Sequence, residues 1–243
     1  MFKWIALSFF FLSTLASAQE PSAQDLLVKL DDMRIGEQQV KVVTRVQLFE
    51  QGELTSSRDY LVYVGSDRRS LALFQSPKEK GQKVLMLDDQ FWMFMPKSKR
   101  PIRITPMQKL LGEASTGDIA SLRWAEDYQG AQPTLVELDG KQVWQAELTA
   151  ARKGLSYAKV SLFSDQDTLE PIKAELFLAS GKHAKTAQFY MSDVEGLRSV
   201  SAMDLIDRIQ KDQLTKITYL NLEPVSIPDK WFNPSFLARN PKM

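Results

Sequence analysis

Lys83-Val84-Leu85-Met86-Leu87-Asp88-Asp89-Gln90-Phe91-Trp92-Met93-Phe94-Met95, closed by Pro96, reads as two short strands across a turn at Asp88-Asp89. The run after the turn is apolar on both alternating faces, whereas a strand with one wet face alternates apolar and polar residues. An antiparallel hairpin covered on both sides needs a second layer or a bound guest. Three of the nine methionines lie here, and methionine is the side chain best suited to a surface that repacks around a flexible apolar guest. The hairpin is therefore either an ordinary buried centre or a ligand-facing wall.

Working outward toward the N-terminus, Val40, Val42, Val46 and Leu48 alternate with Lys41, Arg45 and Gln47. Gln51-Gly52 makes a turn, Tyr60 to Val64 returns, and Ser70 to Phe74 forms a further strand after Gly65-Ser66-Asp67. Ahead of this meander, Gln24 to Met33 places Leu26, Leu27, Leu30 and Met33 at helical spacing, with Ser22 as its cap and Gly36 at its end. Toward the C-terminus, Lys97-Ser98-Lys99-Arg100-Pro101 is a basic loop before the short strand Ile102-Arg103-Ile104. Pro106 to Leu111 and Asp118 to Leu122 are expected to be short helices.

Alternation resumes in the second half. Trp144, Ala146 and Leu148 share a face, as do Val160 with Leu162, Ile172 with Ala174, Leu176 and Leu178, and Ala187 with Phe189 and Met191. Asp139-Gly140, Lys153-Gly154 and Ser180-Gly181 supply the turns. Met203 to Lys211 fits a helical turn or an edge strand, and Ile217 to Leu222 is a last strand before the Pro-punctuated tail Pro224 to Pro241. The expected class is mainly β with short helices. Its expected architecture is a half-open antiparallel β-barrel with a helical lid on the concave face.

Residues 1–18 read as a cleavable signal peptide: Lys3, an apolar run from Trp4 to Leu15, and the small-residue site Ala16-Ser17-Ala18. Residues 19–243 are then expected to form a single domain in the periplasm, and about 225 residues suffice for a proper core. The absence of cysteine excludes disulfides and thiolate metal sites. Removing Lys3 with the leader leaves 30 basic residues against 30 acidic ones, a balance that supports neither nucleic-acid binding nor electrostatic membrane anchoring.

The signals for chemistry are weak. The one histidine, His183, sits in a turn. Asp31-Asp32, Asp88-Asp89 and the pair Asp165 and Asp167 lie where aspartate serves the backbone, and no metal or other cofactor is expected. No nucleophile elbow, phosphate-cradling loop or zinc pattern appears, so the chain is expected not to be an enzyme. The dense basic patch Lys97, Lys99, Arg100 and Arg103 is either a solvated loop or a contact for a headgroup or partner protein.

Pro77-Lys78-Glu79-Lys80-Gly81, Val84-Leu85, Phe91 to Pro96, Arg103-Ile104 and Gly117-Asp118-Ile119 occur in an order that resembles the outer-membrane lipoprotein-sorting, or LolA-like, family. The ending Ile227-Pro228-Asp229 and Phe232 to Leu237 is similar to that family's C-terminus. The likeness is closer to a broad branch of that family than to the housekeeping lipoprotein carrier. It implies a periplasmic protein that holds acyl chains of a lipoprotein or lipid in an apolar cavity and carries them toward the outer membrane. An inner-membrane exporter or an outer-membrane acceptor would be the protein partner. The alternative is a lipid-sensing module that binds an envelope signalling protein. Candidate cavity residues are Val42, Val46, Leu48, Trp92, Phe94, Trp144, Leu148, Leu162, Leu176 and Phe189. The cavity arginine that tethers the lid in the authentic carrier has no clean match; Arg45 lies on an early strand.

Overall fold

The computed structural model describes residues 20–36, 39–98, 100–120, 123–194, 197–207 and 212–239. The expected leader, Lys99, Leu122 and part of the stretch 203–211 lie outside these residues. Helix α1 (Ala23–Arg34) comes first, then strands β1 (Val40–Glu50), β2 (Glu53–Val64), β3 (Arg69–Phe74), β4 (Lys83–Leu87), β5 (Gln90–Phe94) and β6 (Ile102–Ile104). A small hairpin of β7 (Lys109–Leu111) and β8 (Ala114–Ser115) leads directly into helix α2 (Thr116–Ala120). The second half holds β9 (Tyr128–Gly130), β10 (Thr134–Leu138), β11 (Lys141–Ala150), β12 (Lys159–Asp165), β13 (Pro171–Phe177), β14 (His183–Val194), β15 (Leu197–Ile206) and β16 (Gln213–Pro224). A 3-10 turn (Asp229–Phe232) and helix α3 (Pro234–Arg239) end the chain.

Fourteen strands join one antiparallel sheet in the order β10-β11-β12-β13-β14-β15-β16-β1-β2-β3-β4-β5-β6, with β9 paired to β11. The two halves of the chain meet where β16 pairs with β1, from Val40 opposite Pro224 to Glu50 opposite Gln213. The sheet is open. Its inner-face residues from both halves nevertheless share one apolar cluster, including Val42, Val62, Val84 and Phe91 from the first and Leu148, Leu162, Leu176 and Phe189 from the second. A sheet must curl for its distant strands to share a core.

Helix α1 forms as its sequence dictates. The Ser22 hydroxyl accepts from the Asp25 amide at 3.1 Å, and the Asp25 carboxylate accepts from the Ser22 amide at 2.8 Å, a reciprocal cap. Leu26, Leu27 and Leu30 are fully buried on the inner face of the sheet. Burying three leucines contributes on the order of 6 kcal/mol. α2 has its own cap: Asp118 accepts from the amide and hydroxyl of Ser115 at 2.8 and 2.7 Å.

The outer face of β2 to β5 is apolar too. Leu71, Leu73, Leu85 and Phe94 form a second cluster there with Ile227, Phe232 and Leu237 of the C-terminal segment. Tyr63 meets Trp231 edge-on at 4.9 Å, and the Arg69 guanidinium lies 4.8 Å over the Phe232 ring. Gly65 permits this close packing, since a Cβ there would stand 2.8 Å from Phe232 Cζ. Two expectations are corrected. Pro106 to Leu111 is a turn and strand β7, because Lys109 to Leu111 pairs with β8. The described part of Met203 to Lys211 belongs to β15, a central strand hydrogen-bonded on both sides, as burial of Met203 and Leu205 requires.

If the C-terminal segment is held by its apolar contacts, Phe232→Ala should cost about 3 kcal/mol in urea unfolding. It should also open the chain to limited proteolysis after residue 224. A loss well under 1 kcal/mol would show that the segment packs without holding the sheet.

Candidate functional site

The inner face of the sheet, α1, α2 and the segment after α2 form the candidate ligand-binding site. Val42, Val46, Leu148, Leu162 and Leu176 are at most 1% exposed and all line it, with Trp144, Phe189 and the half-buried Leu48. Trp92 and Phe94 do not. Both lie on the outer face in the second cluster, under the C-terminal segment, while Phe91 and Met93 face inward. The correction follows from the strand's period of two: with apolar residues at every position, sequence could not say which set turned inward.

The space expected under the lid is filled in this conformation. α1's leucines and Trp124 occupy it, and the cavity left between Arg34, Trp124, Tyr157, Leu176 and Met203 measures about 20 Å³. That admits about one water molecule. A guest chain needs α1 or α2 displaced.

Polar ties help hold these covers. The Asp31 carboxylate on α1 accepts the amides of Trp124 and Ala125, each at 2.8 Å. The Arg34 guanidinium lies 5.4 Å over the Trp124 ring, and Trp124 meets Tyr128 and Phe189 at 5.7 and 6.5 Å. Burial pushes Asp31 up to about 6, against the two amides and the nearby Arg34 and Arg123. α2 is tied through Asp118, which accepts from Lys185 Nζ of β14 at 2.8 Å and from the Tyr157 hydroxyl at 2.7 Å. Both members of the Asp118–Lys185 pair are buried. Burial alone would raise the Asp118 carboxyl, but Lys185 and Ser115 hold it below the usual carboxylate range. Tyr157 is pushed far above the usual phenol range by burial and by the Asp118 charge.

A third tie spans the two halves of the sheet. Arg68 reaches Asp89 at 2.6 Å and Asp127 at 3.2 Å, and Arg152 reaches Asp89 at 3.1 Å and also pairs with Asp127. Arg68 and Asp89 belong to the β2–β3 and β4–β5 turns, Arg152 and Asp127 to loops of the second half. Arginine suits such a shared carboxylate pair because its planar fork donates to two acceptors at once. Sequence reasoning missed Asp118, Lys185, Arg68 and Arg152 as site residues. The capping spacing Ser115-x-x-Asp118 was a local signal; nothing local marked Lys185.

The basic patch lies elsewhere. Lys97 and Arg100 are exposed in the β5–β6 loop, and Arg103 lies 4.6 Å over the Trp92 ring and donates to Gln90 at 2.8 Å. Arg45 pairs with Asp59 across β1 and β2 at 2.8 Å with its side chain 42% exposed, so it tethers no lid. The acidic pairs have backbone or ion-pair roles: Asp165, for instance, accepts the amides of Asp167 and Thr168. Among the described residues no helix is long and apolar enough to cross a membrane.

This architecture, an open antiparallel sheet with short helices against its apolar inner face, is a LolA-like fold. A family model whose description reads "Uncharacterized protein" matches residues 66–239. The chain belongs to that family, a LolA-like branch separate from the housekeeping lipoprotein carrier. A LolA superfamily protein from Nitrosomonas europaea is 26% identical with a TM-score of 0.80, over 88% of this chain and 98% of that one. A DUF1329 family protein from Desulfovibrio piger is 22% identical with a TM-score of 0.70, over 90% and 100%. A lipoprotein-sorting protein domain from Vibrio parahaemolyticus is 18% identical with a TM-score of 0.68, over 89% and 98%; at these two identities the likeness is one of fold. No curated protein matches the chain.

Two outcomes check the ties. Because Asp31 is raised by folding, its protonated form is the one the fold favours; stability should rise as pH falls from about 7.5 to 4.5. The gain from this group is on the order of 2 kcal/mol, and the difference between wild type and Asp31→Asn across that range isolates it. Parallel pH profiles would place Asp31 in contact with water. Separately, Lys185→Met should cost about 3 kcal/mol or more by leaving Asp118 charged without its cation, and adding Asp118→Asn, which removes the charge and keeps acceptors for Ser115, should restore part of it. Additive losses in the double variant would deny the pair its role.

Proposed function

We propose that this protein is an exported, periplasmic carrier that takes acyl chains of a lipoprotein or lipid against the inner face of the sheet, under α1 and α2, and moves them toward the outer membrane. One observation carries the reading: α1's own leucines cover much of the inner apolar face, on a helix tied down by few polar contacts. Membership of the LolA-like superfamily supports it.

The energetics suit exchange. Burying an acyl chain of about 12 methylenes is worth on the order of 10 kcal/mol. A guest that displaces Leu26, Leu27, Leu30 and Met33 gives back apolar burial of similar size, about 6–10 kcal/mol. Loading is then near balance, and a partner that favours the open arrangement by a few kcal/mol sets the direction. The exposed Lys97 and Arg100, with Lys99 and Arg103, are proposed as the surface that meets an inner-membrane exporter or an outer-membrane acceptor.

Native mass spectrometry of the protein drawn from its own envelope should show bound acyl lipid. In uptake of a fluorescent fatty acid, Asp31→Ala should speed loading about fivefold by releasing α1, since one hydrogen-bonded tie of ~1 kcal/mol changes a rate by that order. Trp92→Ser, on the outer face, should leave loading unchanged. If Trp92→Ser slows uptake and Asp31→Ala does not alter it, the inner face is not the site.

A further inference from the structure

A second cavity, of about 160 Å³, lies at the rim between the β7–β8 hairpin and the start of β14. It has room for about five water molecules, enough for a phosphate head but not for a long tail. Met107, Leu178 and Ala184 give it apolar walls, and Lys109, Lys182 and Lys185 line it with three ammonium groups. Glu113, whose carboxylate pairs with Lys109, and Asp207 line it as well.

The charges are not equally engaged. Lys109 pairs with Glu113 at 2.5 Å. Lys182 has no carboxylate within ion-pair distance among the described residues. An ammonium carries three donors and no acceptor; Lys185 directs two of them to Asp118 and to the Glu113 carbonyl. Its partner Asp118 lines the other, interior cavity beside Tyr157 and Leu176. The Lys185–Asp118 pair is thus the partition between the rim cavity and the space under α1 and α2.

We propose that the rim cavity is the portal for cargo and the seat of its head: a phosphate-type anionic oxygen rests among Lys109, Lys182 and Lys185 while the attached tail passes the Lys185–Asp118 partition. This rests on the carrier reading. An anion on Lys185 competes with Asp118 for the same ammonium, and Asp118 is also the residue that, with Ser115, caps α2. Seating the head and loosening α2 are therefore one exchange of partners.

Calorimetric titration of the mature protein with 1-oleoyl-lysophosphatidate, 1-oleoylglycerol and inorganic phosphate, the acyl compounds kept below their micellar concentrations, tests this. The lysophosphatidate should bind about tenfold more tightly than oleoylglycerol, the order expected of one charge-assisted hydrogen bond. Lys182→Gln should cut that ratio roughly threefold and Lys182→Glu should remove it, each leaving oleoylglycerol affinity unchanged. Equal binding of the two acyl compounds, or a ratio that both Lys182 variants leave intact, would overturn the portal while the carrier reading stands. Phosphate binding alone as tightly as the lysophosphatidate would overturn the lipid assignment in favour of a free-anion site. Failure of both acyl compounds to bind would sink the carrier reading itself.

Discussion

The structure depends on one large sheet whose strands β2 to β5 are apolar on both faces, with no second sheet of comparable size among the described residues to cover either. Water against β3, β4 and β5 on one side, or against β11 to β15 on the other, would forfeit most of the burial that holds a cysteine-free chain together. The two faces are covered differently. Outside, Phe232, Ile227 and Leu237 come from one continuous C-terminal segment, locked by aromatic contacts and Arg69. Inside, the cover is the face of α1 and the few residues around α2. The outer cover completes the scaffold; the inner cover is the part that can give way.

That difference explains where the buried polar groups sit. Apolar contacts are non-directional, and a leucine face can settle on a greasy surface in many ways. Asp31 on the amides of Trp124 and Ala125, and Asp118 on Lys185, Ser115 and Tyr157, give each cover one position. Such groups add little net stability, since desolvation offsets much of their attraction. Removing one partner is costly, so each cover is either fully tied or released. Under the proposed carrier role, loading would break these ties and unloading would remake them.

The Arg68–Asp89–Arg152–Asp127 cluster serves a related purpose. The sheet does not close by strand pairing, so loops of its two halves are joined by charge, on residues 84 positions apart from Arg68 to Arg152. Ion pairs at a partly exposed rim hold shape without a backbone ladder between the loops they join.

Sequence alone determined the class of fold, because period-two alternation in β1, β11, β13 and β14, the turn glycines and the Ser22–Asp25 cap are all local signals. It also marked much of the inner face: Val46, Leu148 and Phe189 sit between polar neighbours that had to face away, and Val42, Leu162 and Leu176 have one such neighbour each. It failed where locality fails. Trp92 and Phe94 turned outward because Phe91 to Met95 is apolar throughout and carries no alternation, and only the docking of Phe232 and Leu237 settled the matter. β9 and β10 take their form from pairing with β11 rather than from their own pattern. Which carboxylate meets which cation, above all Asp118 with Lys185, was decided by the curl of the sheet, which brings together charges that no spacing along the chain relates.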